Sequence, residues 1–135
     1  MKLFSRLLFA GLLSLAAAGP ALAGESKVTA VEVRAESSGS FNFSVTLRHA
    51  DTGWDHYANR WEILTMDGKV LATRTLFHPH VDEQPFTRSL GGVVVPAGVT
   101  SVRVRSHDSF HGYGGLELVV NLKTGDVTPW TGGPS

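Results

Sequence analysis

From residue 27 onward apolar and polar positions alternate, most plainly where Phe41, Phe43, Val45 and Leu47 interleave with Asn42, Ser44, Thr46 and Arg48. A period of two puts the apolar set on one face of a half-buried β-strand. Comparable runs occupy residues 27–36, 60–66, 69–77, 86–95, 100–107 and 115–122, so seven strands are predicted. The separators are turn-forming: Ser37-Ser38-Gly39-Ser40, Met66-Asp67-Gly68-Lys69, Pro96-Ala97-Gly98-Val99 and the Gly-rich stretch 112–115. Nothing between them carries a helical period or a helix cap. Short strands at this density, without helices, predict an all-β fold: an antiparallel two-sheet sandwich of the immunoglobulin or fibronectin type III kind.

Within that frame Trp61 and Ile63 are expected at the heart of the core, and Gly91-Gly92 marks a bulge or a strand that changes sheets. Arg103 and Arg105 alternate with Val102 and Val104 and read as a solvated face, as do Arg74 and Arg88. Residues from about 124 read as a turn-rich tail, with Trp130 either capping the core or exposed.

The first 23 residues follow another pattern. Lys2 and Arg6 precede an apolar run over residues 7–18, and Gly19-Pro20 breaks it before Ala21-Leu22-Ala23. This is the layout of a secretory signal with an A-x-A cleavage site, and the run is shorter than the ~20 residues a spanning helix needs. The expected organisation is a signal over 1–23 and a single sandwich domain over 24–135. The mature chain is expected in the periplasm or secreted, without a membrane anchor once the signal is removed.

Composition narrows the partners. The chain carries 12 basic and 12 acidic side chains, and its Lys and Arg are scattered singly. Phosphate backbones select concentrated positive charge, so nucleic acid is not an expected partner. There is no Cys. That excludes disulfides, thiolate metal sites, a thiol nucleophile, and lipid attachment through an N-terminal Cys.

Strand parity then locates the chemistry. If consecutive strands alternate in direction, the segments 49–59, 78–85 and 107–115 all emerge at one end. These segments make up 28 residues, and they hold all six histidines: His49, His56, His78, His80, His107 and His111. Asp51, Asp55, Asp82, Glu83 and Asp108 lie in the same segments. In His78-Pro79-His80 the two imidazoles share one side of an extended segment, about 6.5 Å apart at Cα, with Pro79 restricting the backbone. His49 continues the parity of Leu47 and points between the sheets at the rim.

Imidazoles and carboxylates without sulfur suit Cu(II) or Zn(II), so all six histidines are candidate metal ligands. Asp82 and Asp108 are candidate partners that orient an imidazole. A blue-copper centre is excluded by the lack of Cys. A Met-rich Cu(I) site is disfavoured because the one Met beyond the signal, Met66, falls at the opposite end. In architecture and compartment the chain resembles small periplasmic copper-binding sandwiches. It lacks the N-terminal His and Met-rich ligand stretches common in that class, and no residue is carried over from them.

The leading expectation is an exported sandwich that binds copper or zinc for storage, delivery or resistance. The alternative is a binding module that recognises a glycan or a periplasmic protein through Trp54, Tyr57 and Tyr113. Ser106 and Ser109 lie near His and Asp, but no nucleophile elbow accompanies them. An enzymatic role is not demanded by any motif.

Overall fold

The computed structural model of the protein describes residues 24–132, so the expected signal over 1–23 lies outside the described residues. Eight strands form among the described residues: β1 (Lys27–Ala35), β2 (Phe41–Arg48), β3 (Ala58–Leu64), β4 (Val70–Thr75), β5 (Phe86–Val93), β6 (Ser101–Asp108), β7 (Leu118–Asn121) and β8 (Val127–Pro129). They pair into two antiparallel sheets, a three-stranded one in the order β1-β2-β5 and a five-stranded one in the order β4-β3-β6-β7-β8. Between the sheets lies one apolar core that includes Val28, Phe43, Val45, Leu47, Trp61, Ile63, Val102, Val104 and Val120, all fully buried. The alternation read from the sequence is therefore the inward and outward alternation of a two-layer fold.

The eighth strand corrects the expected turn-rich tail. Three exposed residues carry too little alternation to register as a strand, and β8 forms because the edge of β7 offers it unpaired backbone groups. The bulge expected at Gly91-Gly92 is present. Phe41 pairs with Val93 and Phe43 with Leu90, so β5 carries one residue more than β2 over that stretch. Gly92 absorbs it at φ +67°, where a Cβ would be strained.

The outer face of the large sheet also departs from expectation. Arg103 is buried and paired with Glu117 at 2.8 Å, and its guanidinium lies 4.1 Å from the centre of the Trp130 ring. Arg105 stacks on Tyr113 at 3.8 Å. The loop after β6 and the chain after β8 return over this face, and local periodicity cannot report a cover supplied from distant sequence. Trp130 therefore neither caps the core nor stands free. Arg88 likewise is not simply solvated, since its Nη2 lies 2.9 Å from His80 Nε2.

Glu62, nearly buried on the same face, accepts hydrogen bonds from Arg105 (2.8 Å), Tyr113 (3.0 Å) and Arg60 (3.1 Å). Burial opposes its ionisation, but the donors Arg105, Tyr113 and Arg60 outweigh it and hold the carboxyl below the usual range. Because the folded carboxyl is the more acidic one, its contribution is complete above the unfolded glutamate value near ~4.3 and fades as pH falls through the folded value. Glu62→Gln should cost about 2 kcal/mol at pH 7. Urea denaturation should show that gap narrowing toward pH 3; equal gaps at both pH values would refute the assignment.

Candidate metal centre

Register places the histidine-bearing segments at one end of the sandwich. Lys27 pairs with Arg48, Leu47 with Phe86, Arg60 with Thr75 and Ala58 with Asp108, so the exits of β2, β4 and β6 lie together. Sharing an end is not sharing a point, and the histidines divide into separate groups.

His49, His56, His111 and Asp108 converge. His49 follows β2 with the inward parity of Leu47 and is buried. Asp108 closes β6 with the inward parity of Val102 and Val104 and has no exposed surface. The turn after it folds tightly: Asp108 and Gly112 exchange both backbone hydrogen bonds at 3.0 Å, with Gly112 at φ +77°. Asp108 Oδ1 also accepts the backbone N–H groups of Phe110 (2.8 Å) and His111 (2.5 Å), which brings His111 back over Asp108. His56 arrives from a turn in which Gly53 and His56 form an isolated bridge. Tyr57 and Ser109 lock the two turns together through Ser109 N to Tyr57 O (2.9 Å) and Tyr57 N to Ser109 Oγ (3.0 Å).

Five separations define the cluster. His56 Nε2 lies 3.2 Å from His49 Nε2 and 3.0 Å from His111 Nδ1. Asp108 Oδ1 lies 3.3 Å from His56 Nε2, while Oδ2 lies 3.3 Å from His111 Nδ1 and 3.7 Å from His49 Nε2. Ordinary hydrogen bonding does not account for this set. A neutral imidazole has one N–H, and His56 Nε2 faces two ring nitrogens and a carboxylate at once. His49, His56 and Asp108 present one ligand atom each within 4.8 Å of one another, a donor set for a cation, and His111 Nδ1 borders that set at 3.0 Å from His56 Nε2. For Asp108, burial disfavours the charge, but the backbone N–H groups of His111 and Phe110, with His49 and His111 nearby, hold its carboxyl below the usual range.

The remaining candidates lie elsewhere. His78 is exposed, with its ring 4.6 Å from that of His80. His80 is buried and stacked on Phe86 at 3.9 Å, and Arg88 Nη2 donates to its Nε2 at 2.9 Å. Burial, then the charge of Arg88 and His78, lowers the His80 pKa. The His78-Pro79-His80 segment does bring two rings together, but the Arg88 guanidinium occupies Nε2 of His80, and the buried Nδ1 of that ring has no hydrogen-bond partner among the described residues. His107 faces outward with the parity of Arg103 and Arg105, bonded to Asn59 Oδ1 at 2.7 Å and set edge-on to Tyr113. Burial and Arg60 lower its pKa as well. Asp82 is exposed.

Trp54 is 66% exposed and Phe110 73% exposed, so Trp54 does not fold back over the sandwich end. Trp54 meets Tyr57 edge-on at 5.5 Å, and Phe110 lies 5.2 Å from His56 and 4.9 Å from His111. Tyr113 instead belongs to the outer face of the large sheet, against Arg105 and His107.

Over 110 residues the chain is 42% identical to a protein of Halomicrobium mukohataei named "Putative lipoprotein"; the match covers 82% of this chain and 54% of that protein. The chain thus spans about half the length of the curated relative it matches. No family model and no solved structure matches it.

Proposed function

We propose that this protein is an exported β-sandwich that holds one divalent transition-metal ion at the end of the fold, on His49, His56, His111 and Asp108. The observation that carries the reading is the set of five separations of 3.0–3.7 Å among those donors. Two ligands at ~2.0–2.1 Å from a tetrahedral metal lie about 3.3–3.4 Å apart. The His49–His56 and His56–Asp108 separations, 3.2 and 3.3 Å, are close to that figure. Zn(II) is therefore the proposed ion. All four positions are supplied by the protein, which supports retention of the ion rather than catalysis at an open position.

The strand order supports the immunoglobulin-like reading of the fold. β1-β2-β5 facing β3-β6-β7 reproduces the A-B-E and C-F-G sets of that sandwich, with β4 added beside β3 and β8 beside β7. Export is supported by the signal-like pattern of residues 1–23 and by the relative's name. The 135 residues hold no cysteine, so a thioether-linked lipid has no attachment point on them.

A second reading joins the first rather than opposing it. Trp54 lies two residues before His56, and Phe110 lies between Asp108 and His111, so an ion on these ligands would fix two exposed aromatic side chains in place. The metal would then staple a surface that recognises a glycan ring or a partner protein.

Cobalt substitution tests the metal reading. Metal-stripped protein titrated with Co(II) should develop visible bands of tetrahedral intensity at one equivalent, and Zn(II) should displace them. Binding should weaken below about pH 6, because imidazoles ligate only as free bases. Weak bands of the six-coordinate aqueous kind would overturn the assignment.

A further inference from the structure

The carboxylate of Asp51 touches no candidate ligand atom, yet it is fully buried behind the cluster and saturated with donors. Oδ1 receives His49 Nδ1 and the backbone N–H of Ala58 (3.1 Å), and Oδ2 receives the backbone N–H of His80 (2.6 Å). These donors come from the loop after β2, the start of β3 and the loop after β4. We infer that Asp51 is the positioning residue of the metal centre: it fixes His49 as the Nδ1–H tautomer, so that Nε2 presents a lone pair to the ion. The inference rests on the metal-site reading above.

An ionised carboxylate only accepts, so the His49 nitrogen that faces it must carry the ring proton. The other nitrogen, at 3.2 Å from His56 Nε2 and 3.7 Å from Asp108 Oδ2, is then a bare donor before any metal arrives. The carboxylate also raises the basicity of that nitrogen once the ion is bound. Asn at this position cannot satisfy the same three donors. It has one acceptor oxygen, and its amide would point either at the Nδ1 of His49, which favours the opposite tautomer and places a proton in the metal position, or at the N–H of His80, which leaves two donors opposed. The His80 loop thereby shares a single anchor with a metal ligand.

The test compares Asp51→Asn with Ser106→Ala. Ser106 bonds Ser26 Oγ at 2.6 Å, buried near the same end, and its loss perturbs the fold without altering an imidazole partner. Two measurements are made on each protein: Zn(II) affinity by competition with a chromophoric chelator, and the His49 tautomer by long-range ¹H–¹⁵N correlation of the metal-free chain. Asp51→Asn should bind Zn(II) about 10–100-fold more weakly and lose the Nδ1–H signature of His49, whereas Ser106→Ala retains both. If Asp51→Asn binds within twofold of the wild type and His49 keeps its tautomer, the role of Asp51 is overturned and the metal site stands. If the wild type itself fails to bind Zn(II), the site reading falls, and the positioning role falls with it.

Discussion

Replacing His56 and His111 together with Ala should weaken Zn(II) binding by on the order of 10³-fold or more, while His78→Ala leaves it unchanged. Losing a partner that merely orients a ligand costs about 10–100-fold, so losing two of four ligands costs more. The choice of residues keeps the result interpretable. The His56 and His111 side chains retain 14% and 30% exposure, so truncating them opens no cavity in the apolar core. His49→Ala or Asp108→Ala would instead remove a fully buried side chain, and lost binding could then reflect lost structure. His78 is the matched control because it shares the end of the fold and the residue type but not the cluster. Calorimetric titration of metal-stripped protein decides the matter. Equal affinity in the double variant and the wild type would dismiss the cluster; loss in His78→Ala alone would move the site to the loop after β4.

What the sequence revealed and what it concealed have a common origin in the period of a strand. Alternation located seven of the eight strands and, through the parity of their exits, the end where the histidines gather. It also held the sharper answer. Asp108 stands in the inward row of Val102 and Val104, and His107 in the outward row of Arg103 and Arg105, so one belongs to the cluster and its neighbour does not. The same test puts His49 inward behind Leu47. Sorting the candidates by end rather than by face left His107 level with Asp108. Nothing of that kind could select His56 or His111, which lie in turns whose path is set by the Gly53 bridge and the Asp108–Gly112 exchange. The His78-Pro79-His80 segment attracted attention because its spacing is local, and local spacing says nothing about Arg88, which reaches His80 Nε2 from β5. Asp51 was legible only as one more loop carboxylate, since its three donors come from three separate stretches of chain.

Chelation should lower the thermal midpoint of the loaded protein by about 15 °C, with the change concentrated at one end of the sandwich. An ion present at ~1,000 times its dissociation constant adds about 4 kcal/mol to folding, and at this chain length each kcal/mol moves the midpoint by about 4 °C or more. The scaffold does not depend on the ion. The core around Trp61, Phe43 and Leu47 is continuous between the sheets and contains none of the ligands except at its rim. The metal-free chain should therefore stay folded, with the turns that carry the ligands no longer tied together by an ion. Without the ion the turns that carry His56 and His111 open more readily, so amide exchange should quicken at residues 53–57 and 109–112 while the amides of β2, β3 and β6 keep their protection. The variant lacking His56 and His111 supplies the internal check, since its midpoint should not respond to chelator. A midpoint unmoved by chelation, in protein shown by elemental analysis to have carried and then lost one zinc, would mean that the cluster does not couple to the fold. In that case the aromatic side chains of Trp54 and Phe110 would owe their placement to the backbone hydrogen bonds of their own turns, and the proposed link between the ion and a recognition surface would be gone.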